Sequence, residues 1–598
     1  VGLAIHLLGA PGVERDGQPA EPPRGRKVWG LLAFLLRSER PVSRDRLVSL
    51  LFAEADDPYA ALRWNLSAIR RLLPEASIDG DPVRLVLPEG GVVDVNVLLS
   101  GTTAEALALP GLERELLEGA GYGFSPAFET WLLMERRHLQ GAGEALLREG
   151  VLMRLAVGDA EAATGLAARL VRMNPYDESF QVLLVRSLTL AGDAVAAVRQ
   201  AASCRELFLR ELGVDPGPAL AAAQQVAPAP PSVAPRAGRA SARAQLEAGE
   251  AAISAGSIEP GLACFRRAVS DASAIGDIPL QARALLALGS ALVHAARGRD
   301  EEASAALHEV VAIAEGADVG FAAAAAAREL GHVEFLRGRY DRALVWLHDA
   351  GVRAAGDRAE LARVACTTGA VLTDTAHYVE AVERLEEAVA LADAAQDGRQ
   401  LAYALSMQGR VHLLLGGLER AGVLLDRSLA CARGERWTAF EPWPESLRGD
   451  VDLALGHVDA AEERYEHAFA LGCQVGDPCW EGVAARGLGA VAAARGQVDE
   501  AITWFLDARQ RSVRLPDGYR WVDAYTLDAL AALAVDRGDP RARAWANELA
   551  LLAAGAGMRE LLCRAYGHQA ALGDRVAATA AAALSDEIDT PLLRQATR

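Results

Sequence analysis

Residues 57–74 read Asp57-Pro58-Tyr59-Ala60-Ala61-Leu62-Arg63-Trp64-Asn65-Leu66-Ser67-Ala68-Ile69-Arg70-Arg71-Leu72-Leu73-Pro74. This stretch predicts one short helix with an apolar back and a basic front. Asp57 suits the N-cap, Pro58 the first helical position, and Pro74 stops the run. At about 100° per residue, Leu62, Leu66, Ile69 and Leu73 share one face, while Ala60, Arg63, Trp64, Ser67 and Arg71 turn the other way. No acid lies between Tyr59 and Leu73, in a chain of formal net charge -19. A polyanion facing this helix would account for that local exception.

Outward from the helix, residues 1–100 hold twelve Lys/Arg against thirteen Asp/Glu, so the acidity belongs almost wholly to the remainder. At 598 residues the chain exceeds one core, and 5% aromatics with abundant alanine favour small-residue helix packing. The seven cysteines have no paired metal-ligand spacing, and their odd number suits a reducing compartment. No apolar run is long enough to cross a bilayer and no signal peptide is visible, so a cytoplasmic protein without membrane contact is expected.

Before the basic helix, Leu3 to Leu8 and Val13 to Arg15 read as strands, and Arg24 to Arg37 as a helix. Ser43 caps a further helix from Arg44 to Phe52. After it, Ile78 to Leu87 carries the turn residues of a strand pair. Strand, helix, helix, basic helix and hairpin is the order of a winged helix-turn-helix over residues 1–100. Residues 105–225 predict an all-α domain: Trp131 to Val157 and Ala160 to Met173 around Gly158-Asp159, then a pair turning at Gly192-Asp193. Residues 226–243 are proline-rich and acid-free, a linker.

Over residues 244–598 a turn recurs at Gly256, Gly298, Gly338, Ala376, Gly416, Gly456, Gly496 and Gly538, spaced 38 to 42 residues. Each unit is a helix pair too small to bury its own apolar face, which predicts an α-solenoid of about eight tetratricopeptide-like (TPR-like) units. The fold class is therefore mainly α: a small α+β winged helix, an all-α domain and the solenoid.

In that frame Arg63, Trp64, Ser67 and Arg71 face the bases of a major groove, where arginine can take guanine bidentately. Arg24, Arg26, Lys27, Arg44, Arg46, Arg70 and Arg84 are the candidates for phosphate or wing contacts, which set affinity and register. Trp437, Phe440, Trp443 and Pro444 interrupt an aromatic-poor region, and either line a ligand groove or fill a gap between repeats.

These residues also carry a family likeness. Positions 1–225 resemble the Streptomyces antibiotic regulatory protein type of activator, an OmpR-like winged helix joined to a bacterial transcriptional activation domain (BTAD). The matching phrases are Leu31-Leu32-Ala33-Phe34-Leu35, Arg40-Pro41-Val42-Ser43-Arg44-Asp45-Arg46-Leu47, and Ala61 to Leu73. They continue with Phe128-Glu129-Thr130-Trp131, Asn174-Pro175-Tyr176-Asp177-Glu178, and Phe208 to Pro218. The pattern departs at Leu51-Phe52-Ala53-Glu54, where the family has a tryptophan phrase. It departs again at Val83-Arg84-Leu85, where a glycine-tyrosine-arginine start of the wing strand is reduced. The resemblance implies double-stranded DNA near a promoter and RNA polymerase as partners, with residues 105–225 docking the enzyme or a second protomer in a homodimer on DNA. One lysine against sixty arginines suits the actinobacterial genome that it suggests.

Larger relatives carry an NTPase domain, but a P-loop requires a lysine, and the single Lys27 stands between Arg26 and Val28. No metalloprotease or serine-elbow phrase occurs, so no catalytic, cofactor or metal residue is assigned and no enzyme is expected. The sequence reading is a DNA-binding activator whose array senses or docks a protein or peptide. Its rival is a scaffold whose winged helix has become a protein-interaction module.

Overall fold

The computed structural model describes residues 2–123, 125–225, 238–296, 298–314, 319–354, 356–514, 518–588, 590 and 593. Two compact units emerge: Val1–Gly143 with Asp374–Ala376 and Leu527–Arg598, and Glu144–Thr373 with His377–Thr526.

In the first unit β1 (Leu3–His6), β2 (Gly12–Arg15) and β3 (Gln18–Pro19) form an antiparallel ribbon turned by Asp16 and Gly17, both at positive φ. Helices α1 (Arg26–Arg37), α2 (Arg44–Leu51) and α3 (Pro58–Leu72) follow, then the hairpin β4 (Ser77–Asp79) and β5 (Arg84–Val86). The chain returns as β6 (Val92–Val93), parallel to β1, so the sheet order is β3-β2-β1-β6. That return was not predicted. It is fixed by Asp94, whose buried carboxylate accepts the Leu7, Leu8 and Val95 N–H groups at 2.7–3.0 Å. Burial raises the Asp94 pKa, and the three N–H donors oppose the shift.

Helices α4 (Asp94–Ser100) and α5 (Thr103–Leu107) lead to α6 (Pro126–Ala156). Phe34 of α1 meets Trp131 of α6 edge-on at 5.1 Å, and Phe128 lies 5.1 Å from the same indole. Gly30 permits this approach, since a Cβ there would come 2.8 Å from Tyr122 and 2.9 Å from Phe128. The helices Ala542–Ala556, Arg559–Ala571 and Arg575–Ile588 belong to this unit too, with Met134 packed on Tyr566, Ala577 and Ala581.

In the second unit α7 (Ala160–Met173), α8 (Glu178–Leu190), α9 (Ala194–Glu211) and α10 (Pro218–Ala223) follow the predicted turns, with Asp159, Asp177 and Asp193 as N-caps of α7, α8 and α9. Val185, Ala197, Ala201, Cys204, Phe208 and Leu220 make their core. Residues 226–237 of the expected linker lie outside the described residues. Residues 239–243, also placed in it, instead form the start of the helix Arg239–Ser254. Their alanines and arginines favour helix once proline is left behind.

From Arg239 to Ile588 the described helices form nine pairs, one more than the turn count predicts. The extra pair turns at Gly573, only 35 positions after Gly538 and outside the 38–42 spacing. All eight predicted turn residues adopt positive φ, from 62° at Ala376 to 81° at Gly456. A second set of positive-φ turns, Gly276, Gly356, Gln396, Arg436 and Gly476, joins one pair to the next. Close packing within pairs is set by helix glycines. A Cβ at Gly289, Gly369, Gly409 or Gly489 would meet Leu307, Leu385, Leu425 or Phe505 of the following helix within 2.5–2.8 Å. Among the described residues no helix is long and apolar enough to cross a membrane.

Candidate nucleic-acid interface

Helix α3 forms as its sequence dictates. The Asp57 carboxylate accepts the Ala60 N–H at 2.8 Å, Pro58 occupies the first turn, and Leu62, Leu66, Ile69, Leu72 and Leu73 are buried. Asn65 is buried as well, and its Nδ2 donates to Ala61 O at 2.8 Å while its Oδ1 finds no donor among the described residues. The opposite face exposes Arg63, Trp64, Ser67 and Arg71 together, with the Trp64 indole 51% accessible. The Ser67 hydroxyl donates to Arg63 O at 2.8 Å, which leaves its oxygen lone pairs outward.

Several other predicted residues have local duties. Arg70 donates through Nε and Nη2 to Ile78 O, at 3.1 and 2.6 Å, and so ties α3 to the hairpin. Arg44 reaches Gly80 O with Nε at 3.3 Å, and its backbone N–H donates to Asp81 at 3.0 Å. Val42 and Val83 exchange backbone hydrogen bonds of 3.0 and 2.7 Å beside it. The hairpin is thus pinned to both α2 and α3. Arg84 is exposed on β5, and Arg24 and Arg26 are exposed at the start of α1.

Two further candidates for phosphate contacts have partners within the chain. Lys27 sits 5.3 Å over the Phe52 ring, and burial lowers its pKa despite the pull of Glu54. Arg46 pairs with Glu587 at 2.8 Å and lies 5.9 Å over Phe34, while Arg559 bridges Glu587 and Glu39 at 3.3 and 2.8 Å. Sequence alone could not find Glu587, which stands some 540 positions away. Tyr59 was also missed as a surface group: it is exposed on the first turn of α3 and donates to Asp45 at 2.6 Å, a bond that raises its pKa. Arg15 holds the other end of α3 through Leu72 O and Glu75.

The aromatic group in the array packs inward. Phe440 and Trp443 are 3% and 2% exposed, the Trp443 indole N–H donates to Ser406 at 3.1 Å, and its ring lies 5.5 and 5.4 Å from Trp480 and Trp521. Pro444 is buried, and half-buried Trp437 stacks on Phe440 at 4.3 Å. These contacts favour gap filling over an open groove. Among the described residues no group of three His, Cys, Asp or Glu is placed to hold a metal.

Comparison with known proteins gives two family matches. A profile described as bacterial transcriptional activator domain covers residues 98–226, and one described as anaphase-promoting complex subunit 5 covers 281–323 and 333–412. A small mixed sheet with three helices, a helical stretch that matches a bacterial transcriptional activator domain, and TPR-like helix pairs follow in that order, an arrangement similar to the Streptomyces antibiotic regulatory protein type.

The chain is similar to the transcriptional regulatory protein EmbR of Mycobacterium tuberculosis and of Mycobacterium bovis, 28% identical over 244 residues. The match takes in 37% of this chain and 62% of EmbR, so the chain spans less than two thirds of the relatives it matches. The solved Mycobacterium tuberculosis EmbR in complex with a low affinity phosphopeptide is 21% identical, with a TM-score of 0.29, covering 37% of this chain and 64% of that one. A Rap protein complexed with competence and sporulation factor is 14% identical, with a TM-score of 0.44, covering 60% and 98%.

Proposed function

We propose that the protein is a sequence-specific, double-stranded DNA-binding transcriptional regulator that activates by recruiting RNA polymerase. The observation that carries this reading is the α3 surface, where Arg63, Trp64, Ser67 and Arg71 stand exposed on one side of a helix whose other side is core. A helix of that form, presented beside a pinned hairpin, suits the major groove, and its cations suit guanine edges and flanking phosphates. Arg24, Arg26 and Arg84 supply further exposed cations for the backbone. The activator-domain match supports polymerase as the partner of residues 98–226. The helix pairs beyond serve as the docking surface for a protein or peptide that modulates the regulator.

Selection of bound duplexes from a random pool tests this reading. A shared motif should emerge, and Arg63→Ala or Arg71→Ala should each cost about 1–3 kcal/mol on that motif and relax preference at one position. Arg84→Ala should instead weaken all sequences alike and flatten the salt dependence. Binding absent even at low salt would reject the regulator reading in favour of a scaffold, with the winged helix as a protein-contact module.

A further inference from the structure

One cleft among the repeats is walled by charges that do not meet. The helices Tyr378–Ala394 and Leu418–Gly434 both pack on Gly398–Leu414, and between them runs a cleft of about 330 Å³. Glu386, Val389, Ala390 and Asp393 form one wall and Arg420, Val423, Leu424 and Arg427 the other, while Leu401 and Gln408 of the middle helix make the floor. Each wall steps by three or four residues along one helix face, so acid, two apolar residues and acid stand opposite arginine, two apolar residues and arginine.

Another repeat shows how such charges can close on each other. Arg266 lies ten residues past its turn at Gly256 and Glu302 four past Gly298, and the two pair at 2.6 Å across the helices Ile258–Ala274 and Asp300–Ala314. Glu386 and Arg420 hold the same positions, ten past Ala376 and four past Gly416, with the signs exchanged. Yet none of Glu386, Asp393, Arg420 and Arg427 makes an ion pair or side-chain hydrogen bond among the described residues. The floor is unsatisfied too. Gln408 is 4% exposed and its amide has no partner among the described residues, and one turn on, His412 has a buried Nε2 with none. Burial lowers the His412 pKa, Arg420 lowers it further and Glu386 opposes, so both wall charges act on that ring. A buried amide without a partner is costly, and in a cleft it marks the place where a bound molecule hydrogen-bonds.

We infer that this cleft binds a free α-amino acid, whose ammonium meets Glu386, whose carboxylate meets Arg420 and whose apolar side chain lies on Val389, Val423 and Leu401. Size and charge both select that class. A cleft of about 330 Å³ stands at the lower bound of small-molecule sites. A lone cation or anion would suit one wall and be repelled by the other, and a neutral molecule would suit neither. Glu386 and Arg420 hold positions from which the equivalent side chains meet directly, so a ligand between them carries its two charges close together. An amino acid does so on one carbon, whereas a peptide separates them. The Gln408 amide can donate to the carboxylate or accept from the ammonium at the same end. The inference gives the array a small ligand and does not rest on the DNA-binding reading, so either can fail alone.

Calorimetric titration of the full chain with valine, leucine, methionine and phenylalanine should give saturable one-site binding of at least one of them in the micromolar to millimolar range. The same compound N-acetylated, which lacks the ammonium, or amidated, which lacks the carboxylate, should bind at least about tenfold more weakly. Glu386→Gln and Arg420→Gln should each cost the free amino acid a similar factor, and Arg420→Gln should leave the amidated form unchanged. Gln408→Met keeps the shape of the floor without its amide and should weaken binding several-fold. Circular dichroism should be unchanged in Glu386→Gln and Arg420→Gln, since both side chains are exposed. No binding at millimolar concentration, equal binding of the blocked forms, a preference for the dipeptide of the same residue, or indifference to Glu386→Gln and Arg420→Gln would each overturn the proposal.

Discussion

At the scale of single residues the repeat turns hold the clearest stored cost. The turns between pairs need positive φ, and where Gly276, Gly356 and Gly476 meet that need freely, Gln396 and Arg436 adopt φ of 54° and 52° with a Cβ. A left-handed residue other than glycine pays about 1–2 kcal/mol, partly offset by the greater freedom that glycine has when unfolded. Gln396 is exposed, so its side chain returns little. Gln396→Gly should therefore raise stability by about 0.5–1 kcal/mol in urea unfolding. Ala376, at φ 62°, shares the strain, but its methyl is buried and would be missed, so Ala376→Gly should gain less. These two departures from glycine at 396 and 436 are also why the second turn of each repeat was not legible. A turn written as glutamine or arginine has no signature in the sequence.

At the scale of elements, legibility followed how far each signal reached along the chain. Helix α3 was readable because cap, proline and apolar period all fall within 18 residues, and Leu62, Leu66, Ile69 and Leu73 are indeed buried. The exposed face followed from the same period. What Arg70, Arg44 and Arg46 touch did not, because Ile78, Gly80 and Glu587 are brought in by the fold. The packing glycines were equally hidden, since a glycine within a helix reads as a weakness until its neighbour is known. Gly487 shows what such a glycine does. Its Cβ would lie 2.2 Å from the Tyr465 ring, and that fully buried ring is anchored by a 2.7 Å bond from its hydroxyl to Asp450. Gly487→Ala should cost about 2 kcal/mol, the clash outweighing the better helix propensity of alanine. Gly165 in α7 has nothing within 4 Å of its Cβ, and Gly165→Ala should gain about 0.5–1 kcal/mol in the same assay.

At the scale of the molecule, the linker suggested that the activator domain and the array are separate bodies, yet within the second unit they are joined by buried charge. Arg342, in the helix Tyr340–Arg353, donates from Nε and Nη2 to both oxygens of Glu149 on α6 at 2.9 Å each. The side chains are 1% and 4% exposed. Beside them, burial pushes the His308 pKa down to about 4 against the pull of Glu149 and Glu334, so the imidazole stays neutral at pH 7. Partners 193 positions apart leave no mark on local sequence, which is why the joint went unread. Removing one partner from a buried pair strands the other charge. Arg342→Met should therefore cost about 3–5 kcal/mol at pH 7, while Glu149→Met with Arg342→Met should cost less than the single change. Urea unfolding followed by tryptophan fluorescence would measure both. If the double variant were as unstable as Arg342→Met, the pair would owe its effect to shape instead of charge, and the ionic account of this joint would fail. If Arg342→Met alone were harmless, the activator domain and the array would not be held together there at all.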